Sequence, residues 1–167
     1  MLGVHLTALE SQMMRLLFVT LLISLPVLAQ NLMEERIWKV APRKKSIFLD
    51  SGVFHHDSNL QKAGITSVRS SSNPGQGYER VVVDFNTPTI PKIYGHISPK
   101  DKKITVDFFN ATVTMSQPQL KTSKHVKTID FINVDGKSIT MDLSMKGKTS
   151  FDIFYLENPG RLVIDIR

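Results

Sequence analysis

Four aspartates come nearest to carrying chemistry in this chain. Asp84 sits in Val81-Val82-Val83-Asp84-Phe85, Asp107 in Ile104-Thr105-Val106-Asp107-Phe108, Asp142 in Ile139-Thr140-Met141-Asp142-Leu143, and Asp165 in Leu162-Val163-Ile164-Asp165-Ile166. Two carboxyls on neighbouring strands, about 5–9.5 Å apart, would suit glycoside hydrolysis. One of them must then be buried with a raised pKa, so that it holds a proton near neutral pH. Here each aspartate has apolar neighbours on both sides, and the alternation turns the acid outward. Outward acids pair with Lys or Arg across strands for a fraction of a kcal/mol. The residues favour paired surface acids over an acid–base couple.

Other reactive residue types are sparse. In His55-His56-Asp57, adjacent side chains of an extended segment point opposite ways, and no further ligand cluster follows. The stretch reads as solvated linker, and His96 and His125 stand alone. The chain has no cysteine, which excludes disulfides, thiolate chemistry, Cys-based zinc sites and a lipid on an N-terminal Cys. HExxH, GxSxG, GxGxxG and the P-loop pattern are missing, and no Ser has a Lys three residues on. The expectation is a non-enzyme with no catalytic residue, no metal site and no cofactor.

The elements that must position these residues are strands. From Ile65 onward the hydrophobic period is two, and the four runs above are its clearest examples. Turn residues separate the runs: Asn73-Pro74-Gly75, Pro99-Lys100-Asp101, Asp135-Gly136, Lys146-Gly147 and Asn158-Pro159-Gly160. Asp-Gly between two alternating runs is the strongest hairpin signal, because Gly accepts the positive φ of a tight turn. Residues 30–64 lack sustained periodicity. Leu32–Val40 suggests a turn or two of helix stopped by Pro42, and the whole segment reads as a linker or loosely docked arm.

The first residues report location. Leu16–Leu28 is an apolar run of 13 residues preceded by Arg15 and ending in Val27-Leu28-Ala29. A positive flank, a short apolar core and a small residue before the cut make residues 1–29 a secretory signal, with translation starting at Met1 or at Met13 or Met14. The run falls short of the roughly 20 residues a membrane span needs, so no stable membrane insertion is expected after cleavage. An exported protein of bacterial type is then periplasmic, and it is not a lipoprotein. The net charge of +6 favours anionic partners, but export leaves nucleic acid aside. The lysines cluster at Lys100, Lys102, Lys103 and at Lys121, Lys124, Lys127.

Laying Arg80–Phe108 over Ser138–Ile166, an offset of 58 (80 to 138), needs no gap. Ile65–Val68 falls on Val126–Ile129 at an offset of 61 (65 to 126). Both units offer four strands, and the expected fold is all-β: a sandwich of two small sheets built from a duplicated four-strand unit.

The closing segment carries a resemblance. Arg80-Val81-Val82-Val83-Asp84-Phe85 and Asn158-Pro159-Gly160-Arg161-Leu162-Val163-Ile164-Asp165-Ile166 resemble the hallmark strands of the AMIN domain, a module of periplasmic N-acetylmuramoyl-L-alanine amidases and type IV pilus secretins. The likeness spans 65–167. It implies a non-catalytic binding or targeting module for peptidoglycan or a cell-envelope complex, with ligand contacts at Arg80, Asp84, Asn158, Arg161 and Asp165. Departures between the two units, such as Ser138 where the first has Arg80, speak against symmetric two-site binding. Val82, Phe109, Ile132, Phe154 and Val163 point away from the core and would form an interaction patch if exposed together. They pack instead if the 30–64 arm or the Ala111–Ser123 connection covers them. Two alternatives stay open: a protein-only assembly component of a type IV pilus or secretion machine, and a small glycan hydrolase using paired carboxylates.

Overall fold

Alternating apolar residues turn one face of each strand inward, and the turns named above return the chain so that those faces stack. The computed structural model describes residues 36–42, 45–116, 118 and 122–167. The export signal read over 1–29 and the first residues of the expected helix lie outside them. Eleven strands follow in order: β1 (Ile37–Lys39), β2 (Gly52–His56), β3 (Ala63–Asn73), β4 (Tyr78–Phe85), β5 (Ile93–Ser98), β6 (Lys103–Phe109), β7 (Ala111–Val113), β8 (Val126–Asn133), β9 (Ser138–Met145), β10 (Phe151–Leu156) and β11 (Arg161–Ile166). They form a six-stranded sheet, β1-β2-β5-β6-β9-β8, and a five-stranded sheet, β10-β11-β4-β3-β7. The all-β sandwich of two sheets is as expected. Among the described residues, no helix is long and apolar enough to cross a membrane.

The core lies between the sheets. Val81, Val83 and Phe85 of β4, with Leu162, Ile164 and Ile166 of β11, face Ile104, Val106 and Phe108 of β6 and Ile139, Met141 and Leu143 of β9; all are buried. The rings of Phe85 and Phe108 meet across the layers at 5.7 Å. Burying each large apolar side chain stabilises the fold by about 1.5–3 kcal/mol, which is why the period-two pattern settles the layer order.

Repetition shows in the pairing. Each unit supplies one hairpin to each sheet: β3–β4 and β10–β11 lie in one, β5–β6 and β8–β9 in the other. A bulge at Ile65/Ser67 in the β3–β4 pair recurs at Val126/Thr128 in the β8–β9 pair, at the expected offset of 61 (65 to 126). The gapless offset of 58 holds for β5–β6 against β10–β11 but not for the strands before them. Arg161 pairs with Asp84 in one sheet where Lys103 pairs with Ser144 in the other, so β9 stands 60 residues from β4 (84 to 144). The link Asn86–Lys92 is two residues longer than Lys146–Ser150. The structural counterpart of Asp84 is thus Ser144, not Asp142.

Residues 37–56 correct the expectation of a linker. Ile37–Lys39 is a strand, not a helix, and pairs in parallel with Val53–His55. β2 then pairs with β5 along its whole length, and Phe54 is completely buried. Gly95 makes this possible: a Cβ there would lie 2.1 Å from Phe54 Cζ. Leu49 and Phe151 exchange backbone hydrogen bonds of 2.8 and 2.7 Å, covering the outer edge of β10. An open strand edge presents unpaired N–H and C=O groups, so this segment completes the sandwich. His56 turns inward against the Tyr155 ring at 4.7 Å, and burial pushes its imidazole below the ordinary value of 6.5.

Glu79, at the start of β4, ties down the start of β8. Burial alone would push its carboxyl up, but the Ser123 hydroxyl and the Lys124 and His125 N–H groups all donate to it and hold it below the ordinary 4.5. A lowered carboxyl contributes stability that is present above pH 4.5 and lost as pH falls through its folded value. Glu79→Gln should therefore flatten the fall in urea midpoint below pH 4.5. An unchanged acid limb in that titration would remove Glu79 as its source.

Candidate functional site

Outward positions of the two sheets differ in what they leave available. On the five-stranded sheet, register sets three rows across β10, β11, β4 and β3. Asp152, Asp165, Arg80 and Ser71 form the first, Phe154, Val163, Val82 and Arg69 the second, and Leu156, Arg161, Asp84 and Ser67 the third. Seven of the ten residues singled out from the sequence meet on this face: Arg80, Asp84, Arg161, Asp165, Val82, Phe154 and Val163.

Most of these are already engaged. Arg80 grips Asp165 with both arms of its fork, Nε to Oδ1 at 2.6 Å and a terminal N–H to Oδ2 at 2.8 Å. Asp165 is fully buried, which corrects the expectation of an exposed sheet acid. Flanking the pair are the Phe154 and Tyr78 rings, 5.6 and 5.2 Å from the guanidinium. Asp84 accepts from Arg69 at 2.9 and 3.1 Å and from the Ser67 hydroxyl at 2.7 Å. Burial raises the Asp84 carboxyl, but those bonds and the nearby Arg69 and Arg161 charges bring it below the usual carboxylate range. A lowered carboxyl is the wrong poise for an acid catalyst. Val82, Phe154 and Val163 are buried as a small second cluster, so they form no exposed patch.

Asn158 belongs to the turn that closes this sheet. Its N–H donates to Pro88 at 2.8 Å, that of Gly160 donates to Thr87 at 2.7 Å, and the Gly160 carbonyl accepts from Phe85 at 2.9 Å. A Cβ on Gly160 would lie 2.4 Å from the Thr89 carbonyl carbon, so only glycine lets the two loops meet. The Asn-Pro-Gly stretch is a docking turn in the structure.

The outer face of the six-stranded sheet is more open. Register lines up His55, Tyr94, Asp107, Thr140 and Ile132 in one row, and Val53, His96, Thr105, Asp142 and Asp130 in the next. Thr140 donates to Asp107 at 2.6 Å and Thr105 to Asp142 at 2.8 Å, with Lys103 on the other Asp142 oxygen at 3.0 Å. These bonds hold hydroxyls and carboxylates in fixed positions around Tyr94, which is 47% exposed. Ile132, 51% exposed, and Val134, 62% exposed, stand at the far end. Phe109 is half-buried beneath Lys92, whose Nζ lies 5.8 Å from the ring centre. Phe109 and Ile132 thus lie on the sheet opposite Val82, Phe154 and Val163, and the five do not assemble.

Sequence reasoning passed over Tyr94. Its signal was the run Ile93-Tyr94-Gly95-His96-Ile97, where an aromatic and an imidazole fall on the face opposite two isoleucines. Among the described residues no group of three His, Cys, Asp or Glu side chains is placed to hold a metal; His55 faces outward while His56 is buried. No protein-family model, no curated protein and no solved structure matches the chain.

Proposed function

We propose that the protein is a non-catalytic binding module of the bacterial cell envelope, and that the outer face of its six-stranded sheet takes the glycan strand of peptidoglycan. The observation that carries this reading is Tyr94, half exposed in the middle of a polar face whose hydroxyls and carboxylates are held in place by one another. The C–H face of a sugar stacks on the negative face of an aromatic ring, and fixed acceptors beside it select hydroxyl geometry. Support also comes from the AMIN-like strands Arg80–Phe85 and Asn158–Ile166, whose charged residues serve the fold while their resemblance points to the envelope. The periplasmic location rests on the signal read over residues 1–29.

Co-sedimentation with purified sacculi at low salt tests the reading. The wild type pellets with the sacculi, and Tyr94→Ala weakens binding about fivefold, as about 1 kcal/mol of stacking predicts. Its thermal midpoint stays put, because an exposed substitution changes stability little. If the wild type remains in the supernatant, the glycan reading fails. A second reading, a protein-only pilus or secretion component, draws on exposed Ile132 and Val134. In that case Ile132→Lys abolishes capture of the partner, and sacculi pellet nothing.

A further inference from the structure

Among the described residues, three that are not glycine adopt a positive φ: Lys102 at 50°, Asn110 at 53° and Asn158 at 55°. Asparagine is at home in this left-handed region, because its short amide bonds to the local backbone; lysine is not. Lys102 ends the turn between β5 and β6. Its N–H donates to Pro99 at 3.3 Å, and its carbonyl accepts the Met145 N–H at 2.8 Å. Glycine or asparagine would make both bonds with less backbone strain. A lysine at such a position carries backbone strain, and strain of this kind gathers at sites where the side chain is used.

That side chain lines a cleft. Lys102, Lys127 and Lys146, with Asp101, Ser144 and Met145, surround an open cavity of ≈ 470 Å³. Three segments meet there: the β5–β6 turn, the start of β8 and the loop after β9. Lys146 is steadied by the Ser123 carbonyl at 2.6 Å, while Asp101 is turned toward the Ser98 hydroxyl at 2.6 Å. Lys100, Lys124 and Lys148 stand exposed on the same three segments, so cations outnumber acids at this end of the sandwich.

We propose that this cleft binds a phosphate group, carried either by a free phosphorylated ligand or by a lipid headgroup. Three lysines around one opening suit phosphate, which lysine binds as a point charge. Where one side chain grips a carboxylate with two bonds here it is an arginine fork, as in Arg80–Asp165 and Arg69–Asp84. The cations lining the cleft are all lysines, compact charges on flexible stems that can gather around a multiply charged oxyanion. None of its lining residues is aromatic, so it has no platform for stacking a base.

Two arms of one experiment, on the full chain at low salt, separate the sources. Amide chemical shifts are followed during titration with inorganic pyrophosphate, and flotation is measured with vesicles of phosphatidylglycerol or of phosphatidylcholine. Shifts confined to residues 99–102, 124–127 and 144–148 support a free ligand; flotation with phosphatidylglycerol alone supports a lipid headgroup. Lys127→Glu weakens binding by well over the fivefold expected for each lysine lost, and Lys137→Gln, at the opposite end of the β8–β9 hairpin, leaves it unchanged. Lys102→Gly is the discriminating variant: it raises the thermal midpoint by relieving the backbone and weakens binding about fivefold. The proposal is overturned if neither probe binds, or if Lys102→Gly and Lys127→Glu bind as the wild type does. Tyr94→Ala does not touch this cleft, so loss of sacculus binding and loss of phosphate binding report on separate sites.

Discussion

Phe54→Ala lowers the free energy of unfolding by about 3–5 kcal/mol. The ring is completely buried, 5.5 Å from Trp38, and fills the space that Gly95 leaves by having no side chain. Its walls are paired strands on both sides, β1 and β5, which cannot collapse into the void without breaking ladder bonds, so most of the cavity cost remains. Trp38 is the only tryptophan in the chain, so its fluorescence follows this corner alone. Urea unfolding watched by fluorescence and by far-UV circular dichroism should give one coincident transition, as one cooperative unit requires. A fluorescence transition at distinctly lower urea would mean that residues 37–56 undock by themselves, and the substitution would then cost little globally.

Arg80→Met is expected to cost a similar amount, about 3–5 kcal/mol, and Arg80→Met with Asp165→Leu to recover part of it, the rest being held by Asp152, which also faces Arg80. Asp165 has no exposed surface, and its two oxygens are taken by the Arg80 fork at 2.6 and 2.8 Å. Removing the arginine takes both fork bonds from a carboxylate that has no exposed surface and lies beside Asp152 in the same row. Removing both charges extends the Val82, Phe154 and Val163 cluster, with the buried Asp152 carboxyl, which also faces Arg80, left at its margin. Chemical denaturation of the two singles and the double closes the cycle. The alternative, a ligand-binding Arg80, predicts the opposite pattern: binding lost with under about 1 kcal/mol of stability, and no rescue in the double variant.

These expectations divide along what each part of the chain can say by itself. The strand runs from Ile65 onward were legible because period-two alternation is a local property; four of the five turn signals fall between strands, and the fifth starts on Asn73, the last residue of β3. Gly136, in the Asp-Gly hairpin, has φ 75°, as the dipeptide demanded. Residues 37–56 were opaque for the converse reason. Ile37-Trp38-Lys39 is too short to show a period, and Gly52–His56 becomes a strand only because β5 offers an edge and Gly95 leaves room for Phe54.

The four aspartates mark the same boundary. Alternation by itself placed each of them on an outer face, and that holds. Alternation could not say which outer face, or what would share it, since partners lie tens of residues away: 85 positions separate Arg80 from Asp165, and 39 separate Lys103 from Asp142. Only the pairing of β4 with β11 turned Asp165 from a surface acid into a buried ion pair, and only the two-residue difference between Asn86–Lys92 and Lys146–Ser150 set Asp84 opposite Arg161 while Ser144 took the equivalent place. The side chain's direction is decided within three residues of backbone; its burial, charge partner and availability to a ligand are decided by which strand the chain returns beside it.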